Sequence, residues 1–565
     1  MNKITVCLSL MAWVVLRGAA SAAEPAKDNA SYGLPVVTRC VEPVRFFTNG
    51  NGSVFCDFGK DAFGWLEILP PAGFTGGVYR VALGEKCDPG DMVDCWPGGT
   101  IRAFVSRPTA IKGGEKVHRV ITPRDPRNTN YSAAAPAVKM RPEIGVIMPF
   151  RYAEFFESPF PLTPQNVRQV AVNYPIDMAE SSFSCSDKRL ETVYEFCKYS
   201  ILATSFAGIY VDGDRERIPY EADAYINMLS HYAISSDTAL ARFSHEYLMD
   251  HPTWPTEWKQ HSVMMAWTDW MQTGDLTSVA RCYARLKKDK MLLDRAREDG
   301  LLTSRNYLEG RRTRNDDIID WPPRDRDGYV FTHVSSVINA FHYLNLRQMA
   351  DLAAALGKTD DATFFSARAA RVYAAFQRVF FNPATGRYRD GEGTDHETLH
   401  GNAAALAFGL VPEDRRRAIG DYLADRGMVC SVYFSQYYLE ALYVGGRADA
   451  AYARLTAEDD RSWLGMLKQG TTITLESWNM SDKPNLDWNH AWGTPALNIL
   501  SRYVLGVTPA APGWSKARIA PQLGPLARVS GVVPTPRGSI RVTHARQADG
   551  TVKSDVVLPP GMVRE

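Results

Sequence analysis

The chain has 565 residues, with 64 Lys and Arg against 63 Asp and Glu, a formal net charge of +1. That balance, without a long basic block, argues against nucleic acid or an anionic membrane surface as partner. The length allows two or three domains with ample core.

Residues 1–23 read as an export leader. Lys3 supplies a positive start, residues 4–16 an apolar run too short to cross a bilayer well, and Ala20, Ser21 and Ala22 a small-residue cleavage site. No later stretch approaches a membrane-spanning length, so the expected mature protein is periplasmic or secreted and free of the membrane. From about residue 30 to 175, short β-prone runs at 46–58, 64–69, 77–83 and 100–105 are split by Gly, Pro and Asn, the pattern of a β-sandwich.

After Met178 the period lengthens. Val337, Phe341, Leu344, Met349, Leu352 and Leu356 fall at helical spacing, and Gly357 stands where a C-cap glycine belongs. A second helical run follows from Thr359, and similar stretches cover 186–206, 221–234, 258–273, 275–297, 400–424, 434–457 and 491–504. No fixed-period motif recurs, so a solenoid is not expected; a closed barrel of inner and outer helices fits. After Pro509 strands return at 516–520, 527–532, 538–544 and 552–558. The expected domains are a β-sandwich at 24–178, a helical barrel at 179–508 and a small β-domain at 509–565.

Beyond Cys7 the eight cysteines form no C-x-x-C pair, so no zinc site is expected. In an oxidising compartment Cys87 and Cys95 could close a short loop and Cys40 and Cys56 could join neighbouring strands. Cys197, Cys282 and Cys430 read as buried thiols. The 13 Trp and 25 Tyr offer flat faces of the kind sugar rings stack on, though large helical cores use them too.

The stretch YVDGDRERIPYEADAY, residues 210–225, gathers Asp212, Asp214, Arg215, Glu216, Arg217, Glu221 and Asp223 among three tyrosines. Pro219 marks a helix start, which makes the acidic run a loop at one end of the barrel, where function concentrates. Carboxylates gathered there repel, so at least one keeps its proton near neutral pH. A protonated acid facing an ionised base is what cleavage of a glycosidic bond requires. An isolated acid, Glu476, stands in TTITLESWN, residues 471–479, followed by LDWNHAWGTPA, residues 486–496.

The order of these segments resembles the inverting α-L-rhamnosidases of glycoside hydrolase family 78 over most of the mature chain. FCDFGKDAFGWLEIL looks like that family's sandwich signature, DGDRER…YEAD its acidic loop, and SWLGMLKQGTTITLESW and WNHAWG its later site segments; GWSKARIAPQLGPL…PTPRGSIRV is similar to its closing β-domain. The resemblance implies an (α/α)6 barrel and release of terminal α-L-rhamnose from rhamnose-containing oligo- or polysaccharides, without cofactor or metal. Glu216 would be the general acid and Glu476 the general base, with Asp212 and Asp223 on sugar hydroxyls. Arg215 and Arg217 would steady the carboxylates, Arg217 standing also among the sugar-binding residues, and Tyr220, Trp478 and His490 would line the pocket. The acidic loop is one residue shorter than the family's, and Tyr220 stands where the family usually has Trp.

Asp320 and Trp321, in the Pro-broken NDDIIDWPPRDRDGY, residues 315–329, are further sugar-binding candidates, as are Trp258 and, near it, Trp254; Trp267 and Trp270 read as core. His396 and His400 have i,i+4 spacing but lack the HExxH context of a metal site. Rival readings are a glucuronyl hydrolase or polysaccharide lyase on the same toroid, and a non-catalytic sugar-binding protein.

Overall fold

The structure, a computed structural model, describes residues 31–304 and 316–565; the expected leader lies outside them. In the N-terminal part nine strands hydrogen-bond as one continuous sheet. Its main path runs Val37–Val41, Val167–Asn173, Val54–Ile68, Met148–Glu157, Gly76–Gly84 and Ala103–Val105. The long strand Val54–Ile68 serves both ends of the sheet, pairing with Arg45–Thr48 through its first half and with Val167–Asn173 through its second. The expected sandwich is thus built from one sheet wrapped around shared strands. Strand alternation decides what each side chain covers. Leu66 and Ile68 join Cys56 and Phe58 in the sheet's own core, whereas Phe63 and Trp65 face the helices. Phe63 stacks on Phe206 with ring centroids 3.6 Å apart. Burial of a side chain of this size contributes about 1.5–3 kcal/mol, which fastens the sheet to the helical domain.

Six helices form a closed inner ring: Glu221–Tyr232, Thr256–Thr273, Ser336–Ala355, Leu399–Ala407, Ser435–Val444 and Pro495–Ile499, each packed on the next and the last on the first. Six others back them: Lys188–Thr204, Ala239–Asp250, Thr277–Arg285, Thr359–Phe380, Glu413–Arg426 and Ala448–Leu455. The two rings differ as their sequences require. Glu221–Tyr232 is buried on all sides, while Thr359–Phe380 buries the single stripe of Phe365, Ala369, Val372, Phe376 and Phe380, with Ala375 beside it. The stretches 400–424 and 434–457, read as continuous helices, each divide into an inner and an outer helix. The first breaks at Gly409, in left-handed backbone, with Pro412 just beyond; the second breaks at Gly445 and Gly446. Residues 275–297 stay helical only to about Lys290.

A four-stranded sheet closes the chain, in the order Ser182–Cys185, Arg528–Val533, Ile540–Arg546, Val552–Val557. Its first strand comes from residues read as part of the barrel, so the small domain is completed from both ends of the helical segment. The eight described cysteines are free thiols. Cys40 and Cys56 do not sit on neighbouring strands, because Val167–Asn173 lies between theirs. Among the described residues no helix is long and apolar enough to cross a membrane.

Candidate active site

A cavity of about 160 Å³ opens where three loops meet at one end of the barrel; its walls include Asp212, Arg215, Glu216, Tyr220, Asp223, Trp254, Trp258, Ile318, Trp321, Glu476, His490 and Trp492. The first loop leaves helix Lys188–Thr204 through Gly208, in left-handed backbone, where a Cβ would fall 2.0 Å from the Leu34 carbonyl oxygen. The next helix starts at Glu221, so Pro219 precedes its cap instead of occupying its first turn. Between these points the charged residues separate by side. Asp212, Arg215, Glu216 and Asp223 face the cavity. Asp214 turns behind it to Arg217 and Arg102, and Glu221 runs to buried Lys290, 3.1 Å away.

The backbone turn at Arg217 makes this division. Its φ of +54° is uncommon for a residue with a side chain, and the turn is held by the Val138 N–H on its carbonyl at 2.9 Å. Arg217 reaches Asp214 at 2.6 Å and the Ile147 carbonyl at 3.0 Å. It is therefore a strut behind the loop, and its expected sugar-binding role is corrected.

The second loop, 471–490, is irregular but tightly tied. Its two arms are joined from Glu476 N–H to the Asp487 carbonyl (3.1 Å) and from His490 N–H to the Thr474 carbonyl (2.7 Å). Gly213 lets the first loop lie against it, since a Cβ there would meet the Asn489 carbonyl oxygen at 2.8 Å and the Asp487 carboxylate at 3.0 Å. Glu476 is buried. It accepts from Arg215 (3.1 and 3.3 Å), from Lys483 (2.9 Å) and from the Asp487 N–H (2.9 Å). Burial pushes its carboxyl up, but Arg215 and Lys483 outweigh it and hold the group below the usual carboxylate range.

Glu216 is more open, its side chain 36% exposed, and lies 3.6 Å from the Arg215 Nε. It accepts from the Tyr220 hydroxyl at 3.0 Å, and the Tyr220 ring is edge-on to Trp258. One guanidinium therefore touches both glutamates. Its planar span keeps their nearest oxygens within about 9 Å of each other, inside the upper limit for an inverting pair.

Around them stand buried polar atoms without hydrogen-bond partners among the described residues: Asp212 Oδ2, both Asp223 oxygens, Asp487 Oδ2 and His490 Nδ1, with Asp223 Oδ1 3.5 Å from His490 Nε2. Buried polar groups are nearly always paired, so this cluster reads as a surface for a polar ligand. Burial, then the charges of Glu216 and Asp487, push Asp212 far up; burial and Glu476 do the same to Asp223. Both shifts favour the protonated carboxyl, the form that can donate to a sugar oxygen. Burial takes His490 down to about 3, leaving a neutral imidazole. Asp212, Asp487 and His490 bring ligand atoms within 4.8 Å of one another, the one triplet among the described residues with cation-site spacing. Arg215 already supplies positive charge there and gives Asp487 its backbone N–H at 3.0 Å, so hydroxyl hydrogens or a shared proton fit the corner better than a metal ion.

The third loop, 316–322, is anchored on Glu257, whose carboxylate accepts the N–H groups of Ile318 (3.1 Å) and Ile319 (2.6 Å). Ile319 has a φ of +63° in this grip, and the arrangement brings Ile318 and Trp321 to the cavity. Asp320 points the other way. It is fully buried against His400 (2.7 Å), Ser431 and the Trp321 N–H, so its expected place at the sugar is corrected to that of a loop anchor. Trp478 is corrected likewise: it is completely buried, donates to the Cys430 carbonyl at 2.8 Å and packs edge-on against Trp463. His396 pairs with Asp390, not with His400. Lys483, Glu257 and Ile318 were not singled out from the sequence. Lys483 is seven residues from Glu476 in an irregular loop, a spacing that advertises nothing.

Two family models match the chain: the bacterial alpha-L-rhamnosidase six-hairpin glycosidase domain over residues 178–504 and the bacterial alpha-L-rhamnosidase C-terminal domain over 506–564. An alpha-L-rhamnosidase of Alteromonas sp. (strain LOR) is 26% identical over 309 residues, which cover 52% of this chain and 32% of the relative. The crystal structure of a GH78 family rhamnosidase of Bacillus sp. GL1 aligns with TM-score 0.66 and 21% identity over 91% of this chain and 54% of that one. An alpha-L-rhamnosidase of Dictyoglumus thermophilum aligns with TM-score 0.73 and 17% identity over 94% and 59%. At these identities the structural likeness speaks for the fold. The chain spans about a third of the curated relative's length and a little over half of each structure's.

Proposed function

The chain belongs to the bacterial α-L-rhamnosidase six-hairpin glycosidases, and we propose that it hydrolyses terminal α-L-rhamnosides by single displacement, with inversion. The observation that carries this reading is the Arg215 guanidinium in contact with both Glu216 and Glu476 at the wall of one sugar-sized cavity. Glu476, held ionised by two cations, suits the general base that draws a proton from water. Glu216, nearer solvent and on the Tyr220 hydroxyl, suits the acid that protonates the departing oxygen. Asp212, Asp223 and His490 would meet the hydroxyls, while Trp254, Trp258 and Trp321 wall the ring.

A lyase would need a cation free to neutralise a uronate. Arg215, in the cavity wall, and Lys483, buried against Glu476, are both engaged by that carboxylate, which favours hydrolysis. We further propose action on rhamnose-bearing glycans outside the cytoplasm, in keeping with the leader-like residues 1–23. The test is a panel of aryl glycosides. Release from the α-L-rhamnoside alone, lost in Glu476→Gln, supports the reading; turnover of a β-glucuronide, or an unsaturated product from an acidic polysaccharide, overturns it.

A further inference from the structure

Behind the acidic loop lies a second cavity of about 590 Å³, within the ≈300–1,000 Å³ typical of small-molecule sites. The loop is the partition: Arg215 and Glu216 line the first cavity, Arg217 the second. The remaining wall comes chiefly from residues 124–147 of the N-terminal part.

The two cavities have opposite character. Acids dominate the first. In the second, Arg124, Lys139 and Arg217 face a single carboxylate, Asp125, and that group is already taken by Arg127 at 2.6 Å and by Arg102. Arg124 is exposed and has no carboxylate partner among the described residues. Tyr32, 45% exposed, and Tyr131 add aromatic faces to the same wall, and the Lys139 Nζ lies 5.5 Å from the Tyr131 ring centroid.

Arg124, with no carboxylate partner among the described residues, shares with two tyrosine faces a space several times that of the first cavity, which suits a ligand carrying both an anion and a ring. We propose that this cavity is a second carbohydrate site that takes a uronate-bearing sugar, with Arg124 on its carboxylate and Tyr32 and Tyr131 against its rings. The site is tied to the acidic loop by Val138 N–H on the Arg217 carbonyl and by Arg217 on the Ile147 carbonyl. An acidic glycan held there lies in the cavity that Arg217 lines, on the far side of the partition from Glu216.

The proposal stands apart from the hydrolysis reading, and its test keeps the two separate. The full chain carrying Glu216→Gln and Glu476→Gln is titrated calorimetrically with digalacturonate in the presence of saturating L-rhamnose, with neutral galactobiose as control. Saturable binding of the acidic disaccharide alone is expected, weakened at least about tenfold by Arg124→Glu and separately by Tyr131→Ala. No binding, equal binding of the neutral sugar, displacement by L-rhamnose, or indifference to both substitutions would overturn it.

Discussion

Replacing Lys483 with Met removes the ammonium 2.9 Å from Glu476 while nearly preserving side-chain length. Glu476 keeps Arg215 and the Asp487 N–H, so the carboxylate stays placed and loses one charge-assisted hydrogen bond. Such a bond is worth about 1.5–3 kcal/mol, or about one to two pKa units at 1.36 kcal/mol each. The direction is fixed: burial raises this carboxyl and the cations hold it down, so losing one cation raises it. A general base must be ionised, so the acid limb of kcat/KM should move about one to two units to higher pH, with much of the activity regained above it. Lys483→Arg should restore the limb. The assay is the pH profile on an aryl α-L-rhamnoside. An acid limb left in place while the whole profile falls would show that Lys483 merely props the loop, and would refute the reasoning.

Glu216→Gln should lower kcat/KM about 10²–10⁴-fold on an alkyl rhamnoside, whose poor leaving group needs the proton, and far less on an activated aryl one; equal losses would exclude the acid role. Asp223→Asn keeps the volume but alters the donors facing the cavity, and should cost about 1–3 kcal/mol in kcat/KM with little change in the unfolding midpoint. Asp320→Ala breaks a buried pair with His400 and should destabilise by about 3–5 kcal/mol in urea titrations; unchanged stability with weakened sugar binding would return it to the pocket. Phe63→Ala, which removes a ring stacked on Phe206, should cost about 3–5 kcal/mol and loosen the sheet from the helices, seen as faster amide exchange along Val54–Ile68.

The layered order of the chain was legible because its period changes twice and because Phe365, Phe376 and their neighbours announce a one-sided helix. The barrel's hairpin turns were harder to read: apolar spacing runs on through Gly409 and Gly445, and only backbone geometry separates the inner helix from the outer one. At the cavity, sequence gave the residue types but not the side of the loop. Glu216 and Arg217 are neighbours in DRER, yet the left-handed turn at Arg217 directs them into different cavities. Asp320 and Trp478 look like sugar contacts by type, and both are consumed by buried hydrogen bonds. Lys483 could not be foreseen, since its meeting with Glu476 depends on the closed path of an irregular loop.

The proposed mechanism, in which two glutamates address one sugar from opposite faces, implies a stereochemical outcome, and proton NMR of the first turnovers reads it directly. Incubated with an aryl α-L-rhamnoside, the protein should release β-L-rhamnose first, with the α anomer growing in only at the rate of mutarotation. Initial release of the α anomer would contradict direct attack by water activated at Glu476, and with it the proposed division of labour between the two acids.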